Sequence, residues 1–152
     1  MDLSTLIPVT AIVPDLKVTS KKQALQELAA IGAQHCPLPA ADIFEVLLER
    51  ERLGSTGVGQ GTAIPHGRFA NLDGLTACFF RLPHAIDFEA IDDKPVDLIV
   101  LLMAPDGAGA DHLKALAKIS RLLRDKPLCD KIRGCESADA IHALITEHDV
   151  AS

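Results

Sequence analysis

The chain has 152 residues, of which 48% are hydrophobic, and a formal net charge of -6 at pH 7. This length supports one substantial hydrophobic core and is too short for two ordinary domains, so residues 1–152 are predicted to form a single domain. The acidic charge argues against a surface for nucleic acid or anionic lipid, because both need a basic field. The lack of Trp and Tyr also removes the aromatic platforms on which bases stack.

The N-terminal residues and the apolar runs of the chain indicate in which cellular compartment it is expected. The first four residues, MDLS, lack the basic start and apolar stretch of a secretory signal. The longest apolar run, residues 98–104, is far shorter than the roughly 20 residues that cross a bilayer. We therefore expect a cytoplasmic protein without membrane insertion. The four cysteines lack the close spacing of a disulfide framework or metal knuckle, so we expect reduced thiols: Cys36, Cys78, Cys129 and Cys135.

The first half of the chain is predicted to contain one strand and two helices. Residues 12–18 form the strand. Ser20 then begins a helix with a Ser-x-x-Gln capping box, and this helix is expected to end near residue 36. A second helix over residues 39–53 carries apolar side chains at four-residue spacing and stops at Gly54. After Gly54 all periodicity breaks, and residues 54–67 are predicted to be an ordered or semi-ordered loop.

Strands and then helices are predicted in the second half. Residues 75–82 and 96–103 are strand candidates, and the second is expected to be central because it is apolar on successive residues. A short strand is placed at residues 85–88. Three helices follow: one after Asp111 with an apolar stripe of Leu113, Leu116, Ala117 and Leu123, one over Lys126–Arg133, and one that begins at Ser137. This order predicts an α/β fold, a three-layer α/β/α domain with a mixed sheet flanked by helices on both faces.

The glycine-rich loop holds the strongest candidate for chemistry, the imidazole of His66. Pro65 has a fixed φ and restricts the residue before it, so the chain presents His66 in a limited direction, and Gly67 is expected to leave open space beyond it. Glycines also let backbone N–H groups approach an anion closely. The small residues of the loop are therefore candidates for contacting a phosphate: Ser55, Thr56, Gly57, Gly59 and Gly61.

Two further residues are suited to an anionic group at His66. Arg50 shares a helical face with the apolar residues of the second helix, one turn before the loop. His112 is expected in the first turn of the helix after Asp111, where free N–H groups favour a neutral imidazole that can donate a hydrogen bond. A nucleophilic His66 with Arg50 and His112 as charge stabilisers meets the positional and electrostatic demands of phosphoryl transfer.

Each of these residues also has a purely structural interpretation. His66 could be an exposed loop histidine, Arg50 could extend its head group past the apolar face, and His112 could cap its helix. The glycine spacing matches neither a Walker motif nor GxGxxG, and no zinc-binding histidine pattern occurs, so neither a cofactor nor a metal site is predicted. On the residues alone, these alternatives stay open.

Two long motifs carry a family resemblance. The segment RERLGSTGVGQGTAIPHGR at residues 50–68 resembles the active-site signature of the fructose/mannitol-type enzyme IIA domains of the bacterial phosphotransferase system, most closely the nitrogen-regulatory IIA proteins. The segment AIDFEAIDDKPVDLIVLLMAP at residues 85–105 is similar to that family's central strand region, and DHL at 111–113 to the start of its next helix. One departure is Thr62, where the family usually has an aliphatic residue.

The resemblance implies that His66 accepts a phosphoryl group from an HPr-like phosphohistidine carrier, with Arg50 and His112 stabilising the phosphorylated state. It implies either a regulatory IIA, whose phosphorylation state controls partners such as potassium transporters or sensor kinases, or a sugar-transport IIA that passes phosphate to a IIB domain. Regulation is favoured, by analogy. Outside the family, the alternative is a non-catalytic phosphate- or nucleotide-sensing module in which His66 only donates a hydrogen bond.

Overall fold

The computed structural model describes residues 1–151 and, within them, contains one six-stranded sheet and six α-helices. The strands are β1 Ile12–Val13, β2 Gly57–Gly59, β3 Thr62–Ala63, β4 His66–Phe69, β5 Thr76–Ile86 and β6 Val96–Pro105. The helices are α1 Leu3–Leu6, α2 Lys21–Gly32, α3 Ala40–Arg52, α4 Ala110–Arg124, α5 Lys126–Arg133 and α6 Ala138–Ala151. A short 3-10 turn, Val9–Ala11, leads into β1.

Strand β6 is the centre of a mixed sheet. It pairs antiparallel with β5 along one side, and β1 then pairs parallel with the far side of β5. Along its other side β6 pairs in parallel first with β3 and then with β4, while β2 forms the edge beyond β3. The prediction of a central strand from consecutive apolar residues is confirmed. Pairing of β4 with this central strand places His66 opposite Leu102.

Two hydrophobic clusters lie on opposite faces of the sheet. Alternate side chains point to opposite faces of a strand, so Ile99 joins the cluster under α2 and α3, while Val100 joins the cluster under the other helices. On one side Leu28 and Leu47 cover the sheet, and on the other Ile119 belongs to a layer built from α1, α4, α5 and α6. The predicted three-layer α/β/α architecture is confirmed.

The start of α2 follows the predicted cap, with one difference. The Oγ of Ser20 accepts a hydrogen bond from the Gln23 amide at 3.1 Å, as expected. The Gln23 side chain, however, accepts from the backbone N–H of Thr19 at 2.8 Å, so the reciprocal bond closes one residue earlier. The helix ends at Gly32, before the predicted end near residue 36, and His35 bonds back to Gly32 in a turn.

Several other element boundaries differ from prediction. The first strand is two residues long, because Pro14 has no N–H to continue it. The segment at residues 54–67 is not one loop: it contains β2, β3 and the start of β4, short pairings that leave no sequence period. The predicted strand at 85–88 is the end of β5, which continues to Ile86. Helix α1 was not predicted.

The predicted apolar stripe of α4 is wrong in part. Leu113 is 65% exposed, and Ala117 is also exposed. The side chains that α4 buries belong to a neighbouring stripe, His112, Ala115, Ile119, Leu122 and Leu123. Four-residue spacing allows both stripes, and only packing on the sheet selects between them. The selected stripe turns the imidazole of His112 inward.

Candidate functional site

His66 is held at the first position of β4 by pairing with the central strand. The N–H of Leu102 donates to the carbonyl of Pro65 at 3.0 Å, and residue 66 itself lies opposite Leu102. Pro65 and Ile64 are buried, whereas His66 is half-buried. The chain therefore emerges from the sheet with the imidazole at its surface.

The orientation of the His66 ring is set by a local hydrogen bond. Nδ1 lies 2.7 Å from the carbonyl oxygen of Ile64. A carbonyl can only accept, so Nδ1 carries the proton and Nε2 of the neutral ring keeps its lone pair. The pKa of His66 is lowered, mainly because burial disfavours the charged ring, and the positive charge of Arg50 lowers it further against raising contributions from Ile64 and Glu51. Burial thus favours the neutral ring, in which Nε2 carries the lone pair.

His112 faces His66 from the first turn of α4. The ring centroids are 5.8 Å apart and the planes meet at 68°, an edge-to-face arrangement. His112 is 6% exposed, and its Nδ1 accepts a hydrogen bond from Nε of Arg68 at 3.0 Å. Its Nε2 is buried and has no hydrogen-bond partner among residues 1–151. The pKa of His112 is lowered by burial first, then by the charges of Arg68 and His66.

Arg50 lies in the last turn of α3 at the same site. One guanidinium nitrogen, Nη1, donates to the carbonyl of Gly54 at 2.9 Å. Its charge acts on His66, whose pKa it lowers. The structure therefore brings together the three residues that the sequence singled out for phosphoryl chemistry, Arg50, His66 and His112.

The neighbourhood of Gly67 differs from the expected open space. A Cβ atom at this position would lie 2.7 Å from Cγ1 of Val46 on α3. Real Cβ contacts are longer, so Gly67 is the residue that allows α3 to pack directly on β4. Since Arg50 lies one turn after Val46 on the same helix, this close approach also sets the position of Arg50 beside His66.

The segment before β2 is tied to a buried carboxylate. Both the amide and the hydroxyl of Thr56 donate to Glu51, which is 8% exposed and forms an ion pair with Nζ of Lys21 at 2.9 Å. The carbonyl of Thr56 accepts from the N–H of Ile64, two residues before the histidine. Thr56 therefore lies close in the sheet to the segment that presents His66.

The small residues of the predicted phosphate-contacting set do not form one cluster around His66. The Oγ of Ser55 donates to the carbonyl of Phe88 and accepts from the N–H of Gly57, so these two groups are already engaged. Gly59 and Gly61 have positive φ values and turn the chain between β2 and β3. The carbonyl of Gly61 accepts from Asp97, five residues along β6 from the partner of His66, about 16 Å at the rise of a strand.

The Thr62 side chain, which departs from the family pattern, makes a local hydrogen bond. It is 2% exposed, and its Oγ1 donates to the carbonyl of Gly59 at 2.9 Å. The hydroxyl is therefore satisfied inside the β2–β3 turn and does not reach the histidines.

Two residues of the site were missed by sequence reasoning, Arg68 and Glu51. Glu51 follows Ile43 and Leu47 at four-residue spacing, so a carboxylate on the buried stripe was a signal that could have been read. Arg68 has no such signal. It meets His112 across 44 residues of sequence, and this contact exists only because β4 and the start of α4 meet at the same end of the sheet.

The described part of the chain gives no support for other kinds of site. Among residues 1–151, no group of three or more His, Cys, Asp or Glu side chains is arranged to hold a metal ion. Within the same residues, the helices lack the length and apolar character needed to cross a membrane. All four cysteines are free thiols, two of them buried.

The fold and the site together define an α/β/α domain that presents one neutral imidazole beside a second imidazole and an arginine. The chain belongs to the family described as "Phosphoenolpyruvate-dependent sugar phosphotransferase system, EIIA 2", whose model matches residues 5–148. Members of this family are phosphotransferase-system components, and this membership supports a phosphocarrier role for the chain.

Individual relatives narrow the resemblance. A nitrogen regulatory protein of Bradyrhizobium diazoefficiens is 53% identical over 145 residues, which cover 95% of each chain. The crystal structure of nitrogen regulatory protein IIA-Ntr from Neisseria meningitidis superimposes with a TM-score of 0.89 at 38% identity, covering 94% of this chain and 98% of that one. A fructose-specific EIIA component of Haloferax volcanii is 32% identical and covers 96% of each. The resemblance to nitrogen-regulatory IIA proteins is confirmed.

Proposed function

We propose that this chain accepts a phosphoryl group on Nε2 of His66 from an HPr-like phosphohistidine protein and acts mainly as a regulatory IIA. The observation that supports it most is the hydrogen bond from Nδ1 of His66 to the Ile64 carbonyl. This bond leaves the other ring nitrogen with a free lone pair on a half-buried ring. A phosphocarrier needs that arrangement, because the lone pair has to reach a phosphorus atom held by a second protein.

The transfer balances without an external base. The Nε2 lone pair of His66 forms the new N–P bond while the N–P bond of the donor breaks, and its electron pair returns to the donor ring nitrogen. His66 keeps its proton on Nδ1, where it is hydrogen-bonded to the Ile64 carbonyl, and the ring becomes a phosphorylated imidazolium. The donor ring, protonated on its other nitrogen, leaves as a neutral imidazole. Each ring therefore retains one proton, and the reaction runs in either direction.

Arg50 and His112 stabilise the transferred group in this proposal. The guanidinium supplies positive charge that acts on the His66 ring, and the unpartnered Nε2 of His112 supplies an N–H with no other acceptor. In a partly buried site such preplaced donors are worth more than in water, because they need no reorganisation when charge arrives. Pro65 restricts the direction of the His66 ring, and Gly67 lets α3, which carries Arg50, pack directly on β4. Ser55, Thr56 and Gly57 have no direct phosphate contact in this proposal, because their polar groups are engaged with Phe88, with each other and with Glu51.

The covalent step is tested by incubating the protein with a phosphorylated HPr-type carrier. The expected product is an acid-labile, alkali-stable phosphoryl adduct that is absent in His66→Ala. The exposed His84 offers a matched control, because His84→Ala removes an imidazole from the end of β5 and leaves the site intact. An adduct that survives His66→Ala, or that never forms on the native chain, would overturn the proposal.

Regulation is favoured over sugar transport by the sequence identities of the two kinds of relative. The relative at 53% identity is named a nitrogen regulatory protein, whereas the fructose-specific EIIA relative is 32% identical. A phosphoryl group adds about two negative charges to a surface that is already acidic, which changes the partners that can dock. We propose that the chain is cytoplasmic and that its regulated partners, potassium transporters or sensor kinases, distinguish the two states.

The two roles separate in one pair of measurements. A regulatory IIA binds its target with an affinity that differs between the phosphorylated protein and His66→Ala, and passes phosphate to an isolated IIB domain slowly or not at all. A transport IIA passes phosphate to IIB rapidly. A non-catalytic sensing module would instead bind inorganic phosphate or a nucleotide reversibly and form no adduct with the donor.

A further inference from the structure

We infer that Arg68 is a positioning residue that fixes His112 as the neutral Nε2–H tautomer, so that His112 offers its free N–H to the group carried by His66. This inference rests on the proposed function for its use, but the tautomer itself is a property of the unphosphorylated protein. Arg68 lies two residues after His66 on β4 and has no other role in the site as described above.

The direction of the Arg68 contact decides the tautomer. A guanidinium has five N–H donors, no acceptor, and does not lose its proton in proteins. Because Nε of Arg68 lies 3.0 Å from Nδ1 of His112, Nδ1 has to be the nitrogen with the lone pair. The single proton of the neutral ring is then on Nε2. Without Arg68, the ring could adopt either tautomer.

The other ring nitrogen of His112, Nε2, is available to donate a hydrogen bond. Nε2 of His112 is buried and unpartnered among residues 1–151, although buried N–H groups are nearly always hydrogen-bonded. The ring stands edge-on to His66 with the centroids 5.8 Å apart. At this ring spacing, an oxygen of a phosphoryl group carried by His66 would be the acceptor that the Nε2–H of His112 lacks.

The same contact prevents His112 from taking a second proton. A protonated ring would aim an Nδ1–H at the N–H of Arg68, setting two donors and two positive charges against each other. The titratable groups that act on His112 are Arg68 and His66, both on β4, and both lower its pKa together with burial. His112 therefore stays a neutral donor and cannot serve as an acid toward the phosphoryl group.

This arrangement has a consequence for the lifetime of a phosphohistidine. Protonation promotes loss of a phosphoryl group from nitrogen, which is why such adducts are acid-labile. A neutral N–H stabilises the phosphoryl oxygens without delivering a proton to them. Arg68 would thus keep the carried group transferable to a protein partner while limiting its transfer to water.

The test reads the tautomer directly. Two-bond ¹H–¹⁵N correlation spectra of the imidazole rings, recorded on the full chain without donor, are expected to show Nδ1 of His112 unprotonated and Nε2 protonated near pH 7. In Arg68→Met the Nδ1 and Nε2 shifts move toward an averaged mixture, and His112 titrates closer to the ordinary value of about 6.5. Arg124→Met, which removes an exposed arginine from the last turn of α4, is expected to leave both readings unchanged.

The second readout is the lifetime of the phosphorylated protein. Arg68→Met is expected to hydrolyse its adduct about tenfold faster at pH 6, near the lower end of the effect of groups that orient a functional histidine, and to approach the native rate at pH 8. Because Arg68 acts through His112, Arg68→Met should add nothing in a His112→Ala background.

A native His112 with its proton on Nδ1, or an Arg68→Met spectrum identical to the native one, would overturn the inference. The inference would also be overturned if the effects of Arg68→Met and His112→Ala on adduct hydrolysis added up in the double variant. A chain that never accepts phosphate but shows the expected tautomer would overturn the proposed function and leave the Arg68 assignment supported. The two failures are therefore distinguishable.

Discussion

Gly67 on β4 and Val46 on α3 are packed so closely that a Cβ atom on the glycine would lie 2.7 Å from Cγ1 of the valine. This contact joins the strand that carries His66 to the helix that carries Arg50. The valine side chain is short and stiff, so it cannot move aside as the end of a long side chain would.

The first prediction follows from that contact. Gly67→Ala is expected to push α3 away from β4, to reduce the free energy of unfolding by about 1 to 3 kcal/mol, and to slow phosphoryl transfer by displacing Arg50. The measurements are urea unfolding and transfer from a phosphorylated donor. Gly74→Ala is the matched control, because a Cβ there would have open space within 4 Å. Normal transfer in a destabilised Gly67→Ala would contradict the link to Arg50.

Removal of the Arg50 charge should act on His66 more than on folding. In Arg50→Met the apolar stem stays, the bond to Gly54 is lost, and the pKa of His66 rises because a neighbouring positive charge no longer lowers it. The adduct is expected to form more slowly or decay faster, while stability changes by about 1 kcal/mol or less. Imidazole titration by NMR and donor transfer measure these effects. Arg52→Met, an exposed position on the same turn, should change neither.

The two facing histidines predict a pH dependence of stability. Both have folded-state pKa values below the ordinary value of about 6.5, so the unfolded chain binds their protons first as the pH falls. The free energy of unfolding contributed by these groups is therefore fully present above that pH and is lost as the pH falls toward their folded-state values. Urea midpoints at about pH 7.5 and about pH 5.5 should differ less in a His66→Gln/His112→Gln double variant than in the native chain. An unchanged difference would show that other groups are responsible.

Glu51 is predicted to be a structural anchor of the segment leading to His66. Glu51→Gln removes the shorter ion pair of Lys21, whose side chain is 17% exposed, and leaves it the longer ion pair with Glu89 at 4.0 Å. It also weakens the bonds to Thr56. We expect a loss of about 3 kcal/mol in the free energy of unfolding, near the lower end for breaking a buried ion pair. Lys21→Met combined with Glu51→Gln should recover part of it, measured by urea unfolding. If the double variant is as unstable as the sum of the single ones, the pair is not coupled.

The exposed face of the first turn of α4 is predicted to contact the donor protein. Leu113 is 65% exposed and follows the inward-facing His112, so it presents an apolar side chain at the rim of the site. Leu113→Asp is expected to raise the KM for a phosphorylated HPr-type donor about fivefold or more with little change in stability, as for loss of an important interface residue. Val150→Asp, at an even more exposed position near the end of α6, should leave the KM unchanged. If Leu113→Asp lowers kcat and leaves KM constant, Leu113 acts in the chemical step and not in docking.

The features that could be predicted from the sequence are those that depend on residues close together in the chain. Ser20 is a cap because its hydroxyl reaches the amide three residues ahead, and β6 is central because consecutive apolar residues need cover on both faces. His66 was recognised because a long motif surrounds it. The three short strands at residues 54–69 could not be read in this way, since strands of two to four residues have no measurable period and exist through pairing with β6.

The sequence by itself therefore determined the three-layer fold class and singled out Arg50, His66 and His112, the trio proposed to carry the phosphoryl group. Tertiary structure decided how those residues are arranged. It selected the stripe of α4 that turns His112 inward, placed Gly59 and Gly61 far along β6 from the histidine, and brought Arg68 to His112 across 44 residues of sequence. The physical reason is that helix packing and strand register join segments distant in the chain, and the tautomers of both imidazoles depend on which atoms those joined segments place 2.7 and 3.0 Å away.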